Sequence, residues 1–127
     1  MKKIIYLLSL LLVLSFIGCS EEPQNVKYES ASITVSYVSF GASGSKYGSE
    51  KAFSNEGVSD ILTILNNSKW DESLCKCGYE YALFLDGMTL FYSYDLGIIN
   101  DYDNDQNLTL SDEEKTYINS LIDELYK

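Results

Sequence analysis

The chain has neither histidine nor arginine among its 127 residues, and these two absences exclude much chemistry. Without an imidazole there is no Ser-His or Cys-His pair for nucleophilic catalysis and no histidine-ligated metal site. Without a guanidinium there is no bidentate clamp for a phosphate or carboxylate group. Both absences argue against most catalytic designs, and no catalytic residues are assigned.

Positive charge is scarce as well, since nine lysines stand against 19 acidic residues and the formal net charge is −10. Such a surface repels nucleic-acid phosphates, so the sequence argues against a nucleic-acid partner. It favours a cationic partner, such as a basic envelope or secreted protein, or a bound cation. High solubility alone is the alternative explanation of the charge.

The first 18 residues carry the pattern of an export signal. Lys2 and Lys3 form a positive start, and an apolar run of 14 residues follows at 4–17, interrupted only by Ser9 and Ser15. That run is shorter than the roughly 20 residues that span a bilayer as a helix. It fits the apolar region of a cleavable signal peptide.

The segment Phe16-Ile17-Gly18-Cys19 resembles the lipobox of bacterial lipoproteins, although Phe16 stands where the family usually has an aliphatic residue. The resemblance implies that the thiol of Cys19 receives diacylglycerol and that residues 1–18 are removed. Loss of Lys2 and Lys3 with them would bring the formal charge from −10 to −12. An ordinary signal peptide followed by an unrelated cysteine is the alternative.

Residues 20–22, Ser-Glu-Glu, resemble sorting signals that follow the lipidated cysteine in some Gram-negative bacteria. Serine there is similar to an outer-membrane signal, and acidic residues are similar to a surface-export signal. The resemblance predicts a lipid-anchored protein of the cell envelope. In a Gram-negative cell it would lie on the outer membrane, facing the periplasm or the surface.

Hydrophobic patterning divides the mature chain into a lipidated flexible tether, residues 19–32, and a single domain, residues 33–127. Alternating apolar residues predict a strand at 33–40, and the glycine- and serine-rich residues 41–49 predict a flexible loop. Two alternating runs joined by Asp86-Gly87 predict a β-hairpin with a type I′ turn. Residues 97–99 predict a further short strand.

Two helices are predicted from apolar residues at i, i+3, i+4 and i+7 spacing. The apolar positions of the first are 58, 61, 62 and 65, and those of the second are 118, 121, 122 and 125. Ser54 or Asn55 is the predicted N-cap of the first helix, and Trp70 is expected to pack its end onto the sheet. Ser111 and Glu114 predict a capping box before the second helix. The order β-α-β-β-(β)-α predicts an α+β fold, with an antiparallel sheet of three to four strands and two helices on one face.

The acidic segment from Asp101 to Asp112 resembles the calcium loop of EF-hand proteins. Its candidate calcium ligands are Asp101, Asp103, Asp105, Asn107, Thr109 and Asp112. Gln106 stands where the motif has glycine, Asp112 stands where it has glutamate, and a strand rather than a helix precedes it. The alternative is a solvated turn leading into the acidic first turn of a helix.

Cys75 and Cys77 are a pair once Cys19 is lipidated, and two thiolates are only half of a zinc site. Their spacing also differs from the Cys-x-x-Cys of thioredoxin-like enzymes. The sequence predicts a small, strained disulfide or two thiols, with a structural role in either case. A redox role and a link between two molecules are the alternatives.

Four tyrosines lie at alternate positions of the predicted hairpin, namely Tyr79, Tyr81, Tyr92 and Tyr94. If they share an exposed face, they form a possible binding surface for carbohydrate or protein. The alternative is ordinary core packing. Taken together, the sequence favours a non-enzymatic binding or inhibitor module, with a calcium-stabilised module and a thiol or redox helper as alternatives.

Overall fold

The structure, a computed structural model, describes residues 26–41 and 44–127. The predicted signal peptide, Cys19 and residues 20–25 of the predicted tether lie outside the described residues. Within the two described ranges, no helix has the length and apolar character needed to cross a membrane.

The described residues form seven strands and two helices. The strands are β1 (Thr34–Gly41), β2 (Gly44–Tyr47), β3 (Lys51–Ala52), β4 (Tyr81–Leu85), β5 (Met88–Ser93), β6 (Ile98–Asp101) and β7 (Gln106–Thr109). The helices are α1 (Asn55–Asn67), between β3 and β4, and α2 (Asp112–Leu125), after β7. The α+β class is confirmed, whereas the predicted three to four strands and the single strand before the first helix are wrong.

All strands pair antiparallel in one sheet of order β2-β1-β4-β5-β6-β7. Both β2 and β3 pair with β1, so they follow one another along the same edge. The predicted loop at 41–49 therefore contains a strand. Glycine and serine have low strand propensity, but the edge of β1 offers backbone groups that need hydrogen-bond partners, and pairing satisfies them.

The predicted hairpin is confirmed, since Leu85 pairs with Met88 across Asp86-Gly87. Its turn is not of type I′, because that type needs positive φ at both central residues and only Gly87 has it, at 72°. Asp86 instead forms two hydrogen bonds with the segment that precedes β1. Its backbone N–H donates to Ser30 Oγ, and its carboxylate accepts from the N–H of Ala31.

Both helices begin as their sequences predict. The Ser54 side chain caps α1 by accepting from the N–H of Gly57. Ser111 and Glu114 form the complete capping box of α2. Trp70 Nε1 donates to the carbonyl of Leu65 and so fixes the C-terminal end of α1. These local predictions are confirmed.

The core lies against one side of the sheet, which we call the core face. Directly paired residues of antiparallel strands point to the same side, so alternate residues of successive strands gather there. The core residues of the sheet are Val35, Tyr81, Leu83, Leu85, Leu90, Tyr92, Ile99 and Leu108, and those of the helices are Val58, Ile61, Leu65, Ile118 and Ile122. Each fully buried leucine or isoleucine contributes about 1.5–3 kcal/mol to folding.

Tyr28 extends the folded domain into the predicted tether, because its side chain is 1% exposed and belongs to the core. Its hydroxyl donates to Asp101 Oδ2 at 2.7 Å and accepts from Gln106 Nε2 at 2.7 Å. Its ring stacks on Trp70 with centroids 5.1 Å apart. The side-chain amide of Asn66 accepts from the backbone N–H of Tyr28 and donates to its carbonyl. The boundary predicted at residue 33 therefore lies too late in the chain.

Candidate functional site

The acidic segment at 101–112 forms the hairpin of β6 and β7 and the first residue of α2. Asp101 ends β6 fully buried, and its carboxylate accepts from Tyr28 and Asn104. Asn107 and Thr109 lie on β7, paired with β6, while Asp112 begins α2. In the part of the chain that is described, no three acidic or cysteine side chains are placed to hold a metal ion.

The remaining predicted calcium ligands, Asp103 and Asp105, are turn residues whose side chains face solvent. Asp103 and Asp105 are exposed in the turn between β6 and β7, where Asp105 adopts a φ of 49°. Aspartate tolerates that left-handed conformation better than most residues. The acidic alternation therefore runs from the end of β6 into its turn, with Asp101 inside the fold and Asp103 and Asp105 exposed.

We expect calcium to leave the thermal stability of the domain unchanged, because Asp101 and Asn107 are already engaged in hydrogen bonds within the fold. A cation that binds only the native state would raise Tm, and the rise would grow with the logarithm of the cation concentration above its Kd. Thermal melts in excess calcium and in chelator test this. A rise of several degrees in calcium alone would restore the calcium-stabilised module.

Cys75 and Cys77 are joined in a disulfide within the loop at 71–79. That loop is held against β6 and β7 by side-chain amides. Asn100 Oδ1 accepts from the N–H of Cys75 at 3.0 Å, while its Nδ2 donates to the carbonyl of Cys75 at 3.3 Å. Asn107 Nδ2 donates to the carbonyl of Ser73. In this arrangement the two sulfurs serve the shape of the loop and neither is free as a nucleophile.

The four tyrosines of the hairpin do not form one exposed surface. Tyr81 and Tyr92 pair directly on the core face, where both are buried. The hydroxyl of Tyr94 donates to Asp123 of α2. Tyr79 instead lies beyond the start of β4, with its ring 4.6 Å from that of Phe91 on the opposite side of the sheet. The alternation ends at residue 80, which separates Tyr79 from Tyr81.

A different set of aromatic residues occupies the side of the sheet opposite to the core, which we call the far face. This aromatic row consists of Tyr47, Phe84, Tyr79, Phe91 and Tyr102. Its ring centroids are 5.4 Å apart for Tyr47 and Phe84, 4.6 Å for Tyr79 and Phe91, and 5.4 Å for Phe91 and Tyr102. The two ends are exposed, at 50% for Tyr47 and 41% for Tyr102.

The two helices carry the most unbalanced charge of any elements. Their carboxylates are Glu56, Asp60, Asp112, Glu113, Glu114, Asp123 and Glu124, against the single lysine Lys115. The ammonium of Lys115 donates to the carbonyl of Asp95, and its methylene chain packs on Gly97. We call this set of seven carboxylates the acidic helix surface. Glu124 has an ion pair, with Lys127, and both of those side chains are exposed.

An open depression of about 510 Å³ lies on the acidic helix surface, lined by Asp112, Glu113, Thr116, Tyr117 and Ser120. The hydroxyl of Tyr117 donates to the carboxylate of Asp60 and so ties α2 to α1. That hydrogen bond is the main cause that raises the pKa of Tyr117 to about 12. The depression therefore places a phenol bonded to Asp60 beside the exposed carboxylates of Asp112 and Glu113.

In comparisons with known proteins, no family, no curated protein and no solved structure matches this chain. Among the described residues, the acidic helix surface and the far face are the two candidate binding surfaces.

Proposed function

We propose that this protein is a non-enzymatic, lipid-anchored binding or inhibitor module of the cell envelope, and that its acidic helix surface binds a cationic protein. The observation that carries the proposal is the imbalance of seven carboxylates to one lysine on α1 and α2. A partner that brings positive charge to these helices would relieve the repulsion among their carboxylates.

The charge is suited to fast and salt-sensitive capture. Asp112 and Glu113 are exposed at the N-terminal end of α2, where water and salt reach them. Exposed charges contribute little energy one by one, but a surface of a single sign raises the rate of encounter with an oppositely charged protein. Because the Debye length is about 8 Å at physiological ionic strength, added salt should weaken the interaction.

The proposed anchor sets where such capture takes place. Eight residues separate Cys19 from Tyr28, which is the first residue with a buried side chain in the described part of the chain. At about 3.3–3.6 Å per extended residue, the folded domain can lie no further than about 30 Å from the lipidated cysteine. The proposal therefore keeps the point where the chain enters the folded domain within about 30 Å of the lipid anchor.

The proposal is tested by the affinity of the detergent-solubilised mature protein for a basic lysozyme, used as the cationic probe. The double substitution Asp112→Asn/Glu113→Gln removes two charges from the depression. We expect it to raise the Kd about three- to tenfold, since each exposed charge contributes roughly 0.2–1 kcal/mol. High salt should weaken the wild type and reduce the difference between the two proteins.

The matched control is Glu72→Gln/Asp103→Asn, which removes two exposed charges outside the helices. If this control weakens binding as much as the helix variant, net charge alone would account for the effect and the acidic helix surface would not be the site. Thermal melts of both variants check that the fold is retained, because acidic residues in the first turn of a helix also stabilise it.

A further inference from the structure

The far face of the sheet is neutral, in contrast to the acidic helix surface. On β1, β4 and β5, no described strand residue whose side chain lies on that face carries a charge. The residues there are aromatic, aliphatic, small or hydroxyl-bearing. Over β6 and β7 the same face is covered by the loop at 71–79, which Asn100 and Asn107 hold in place. In a chain with a formal charge of −10, this neutrality sets the far face apart as a surface for a ligand without charge.

The aromatic row covers a buried hydroxyl. On β1, Ser36 lies between Thr34 and Val38, whose partners on the neighbouring strands are Phe84 and Tyr47. Since the rings of Tyr47 and Phe84 come within 5.4 Å of each other, they meet across β1 above Ser36. The Ser36 side chain is fully buried, and its Oγ has no hydrogen-bond partner. A buried hydroxyl without a partner is unfavourable, so the site gains from a ligand that supplies one.

We propose that the far face binds a neutral glycan chain, with the aromatic row as the stacking platform and Ser36 as a hydroxyl that becomes available when Tyr47 turns aside. Sugar rings offer apolar C–H faces for aromatic rings and hydroxyls for polar groups. Binding sites of that kind combine large apolar area with a few placed polar groups. Tyr47 is half-exposed on the edge strand β2, so its ring is the member of the row that can move at least cost.

A protein partner fits the far face less well. Protein surfaces carry charges that would lose water on binding, and the described strand residues of β1, β4 and β5 on the far face offer no charged group of either sign in return. The two ring groups of the aromatic row, Tyr47 with Phe84 and Tyr79 with Phe91 and Tyr102, also offer separate stacking positions for successive sugar units. This binding is independent of the acidic helix surface and would persist if no cationic protein were bound.

Depletion isotherms of the detergent-solubilised mature protein on granular starch, cellulose, chitin and insoluble mannan test the proposal. We expect binding to at least one of these neutral polysaccharides. Tyr102→Ala should raise the Kd about tenfold, as expected for the loss of one aromatic platform. Tyr47→Ala should raise it less, because that change removes one ring and also uncovers the hydroxyl of Ser36. Tyr37→Ala is the matched control, because Tyr37 is 47% exposed but lies on the core face beside Tyr81.

Ser36→Ala separates a ligand-binding role from a structural one. Because Ser36 Oγ has no partner in the fold, its removal should leave thermal stability unchanged or raised, while the Kd for the glycan increases several-fold. The acidic variant Asp112→Asn/Glu113→Gln should bind glycan like the wild type. Depletion by none of the four polysaccharides would overturn the proposal. The proposal would also be overturned if Tyr37→Ala lost as much glycan binding as Tyr102→Ala. The same holds if Tyr47→Ala lost binding to lysozyme but kept its binding to glycan.

Discussion

Replacing Tyr28 by alanine is expected to lower the free energy of unfolding by about 5 kcal/mol. Removing a buried aromatic side chain costs roughly 3–5 kcal/mol, and a buried polar group that loses its partner costs about 1–3 kcal/mol more. Here the Asp101 carboxylate, which is fully buried, would lose the Tyr28 hydroxyl. Domains of this size are stable by about 5–15 kcal/mol, so much of the population would unfold.

Urea unfolding followed by far-ultraviolet circular dichroism measures this effect. Tyr28→Phe keeps the ring that stacks on Trp70 but removes the hydroxyl, and we expect a loss of about 1–3 kcal/mol. Tyr47→Ala is the control, because its half-exposed side chain makes little difference to folding. If Tyr28→Ala unfolded at the urea concentration of the wild type, residues 26–32 would belong to the tether after all.

The helices and the central hairpin could be predicted because their signals are local. Ser54 caps α1 by accepting from the N–H of Gly57, three residues later in the chain. The capping box of α2 involves only Ser111 and Glu114. The hairpin needs only a two-residue turn at Asp86-Gly87. In each case the residues that decide the structure are neighbours in the chain, so their pattern is visible without knowledge of the fold.

The parts that the sequence did not reveal depend on contacts between distant residues. Strand β2 is glycine- and serine-rich and forms only because β1 presents an edge. Tyr28 looked like part of a tether because its partners, Asp101 and Gln106, lie more than 70 residues away. Local propensity gives no signal for either, since tertiary pairing decides them.

The two candidate surfaces also differ in whether local sequence or distant contacts determine them. The acidity of the helices can be read from composition, whereas the aromatic row could not be predicted from the alternation of β4 and β5 alone. Phe84 and Phe91 alternate with the core residues of β4 and β5, so the sequence pattern places them on the opposite face. Tyr47 and Tyr102 come from an edge strand and a turn, where no such pattern exists. Only the register of β1 with β2 and β4 brings Tyr47 to Phe84.

Replacing Cys19 by serine is expected to abolish lipid attachment altogether. The proposed lipobox makes the thiol of Cys19 the acceptor of diacylglycerol, and a serine hydroxyl does not replace a thiol as nucleophile at neutral pH. Cells grown with radiolabelled palmitate should label the wild-type protein and not the Cys19→Ser variant. The variant should also keep residues 1–18, because cleavage follows lipidation in this class of protein.

The double variant Cys75→Ser/Cys77→Ser is the matched control, since it removes the two cysteines of the disulfide and leaves Cys19 in place. It should be labelled like the wild type. An ordinary signal peptide predicts the opposite pattern, with no label in any of the three proteins and normal cleavage in Cys19→Ser. Two acyl chains anchor a protein stably where one chain holds it only marginally. Lipidated Cys19 would therefore keep both proposed binding surfaces at the membrane, within the reach that the eight residues before Tyr28 allow.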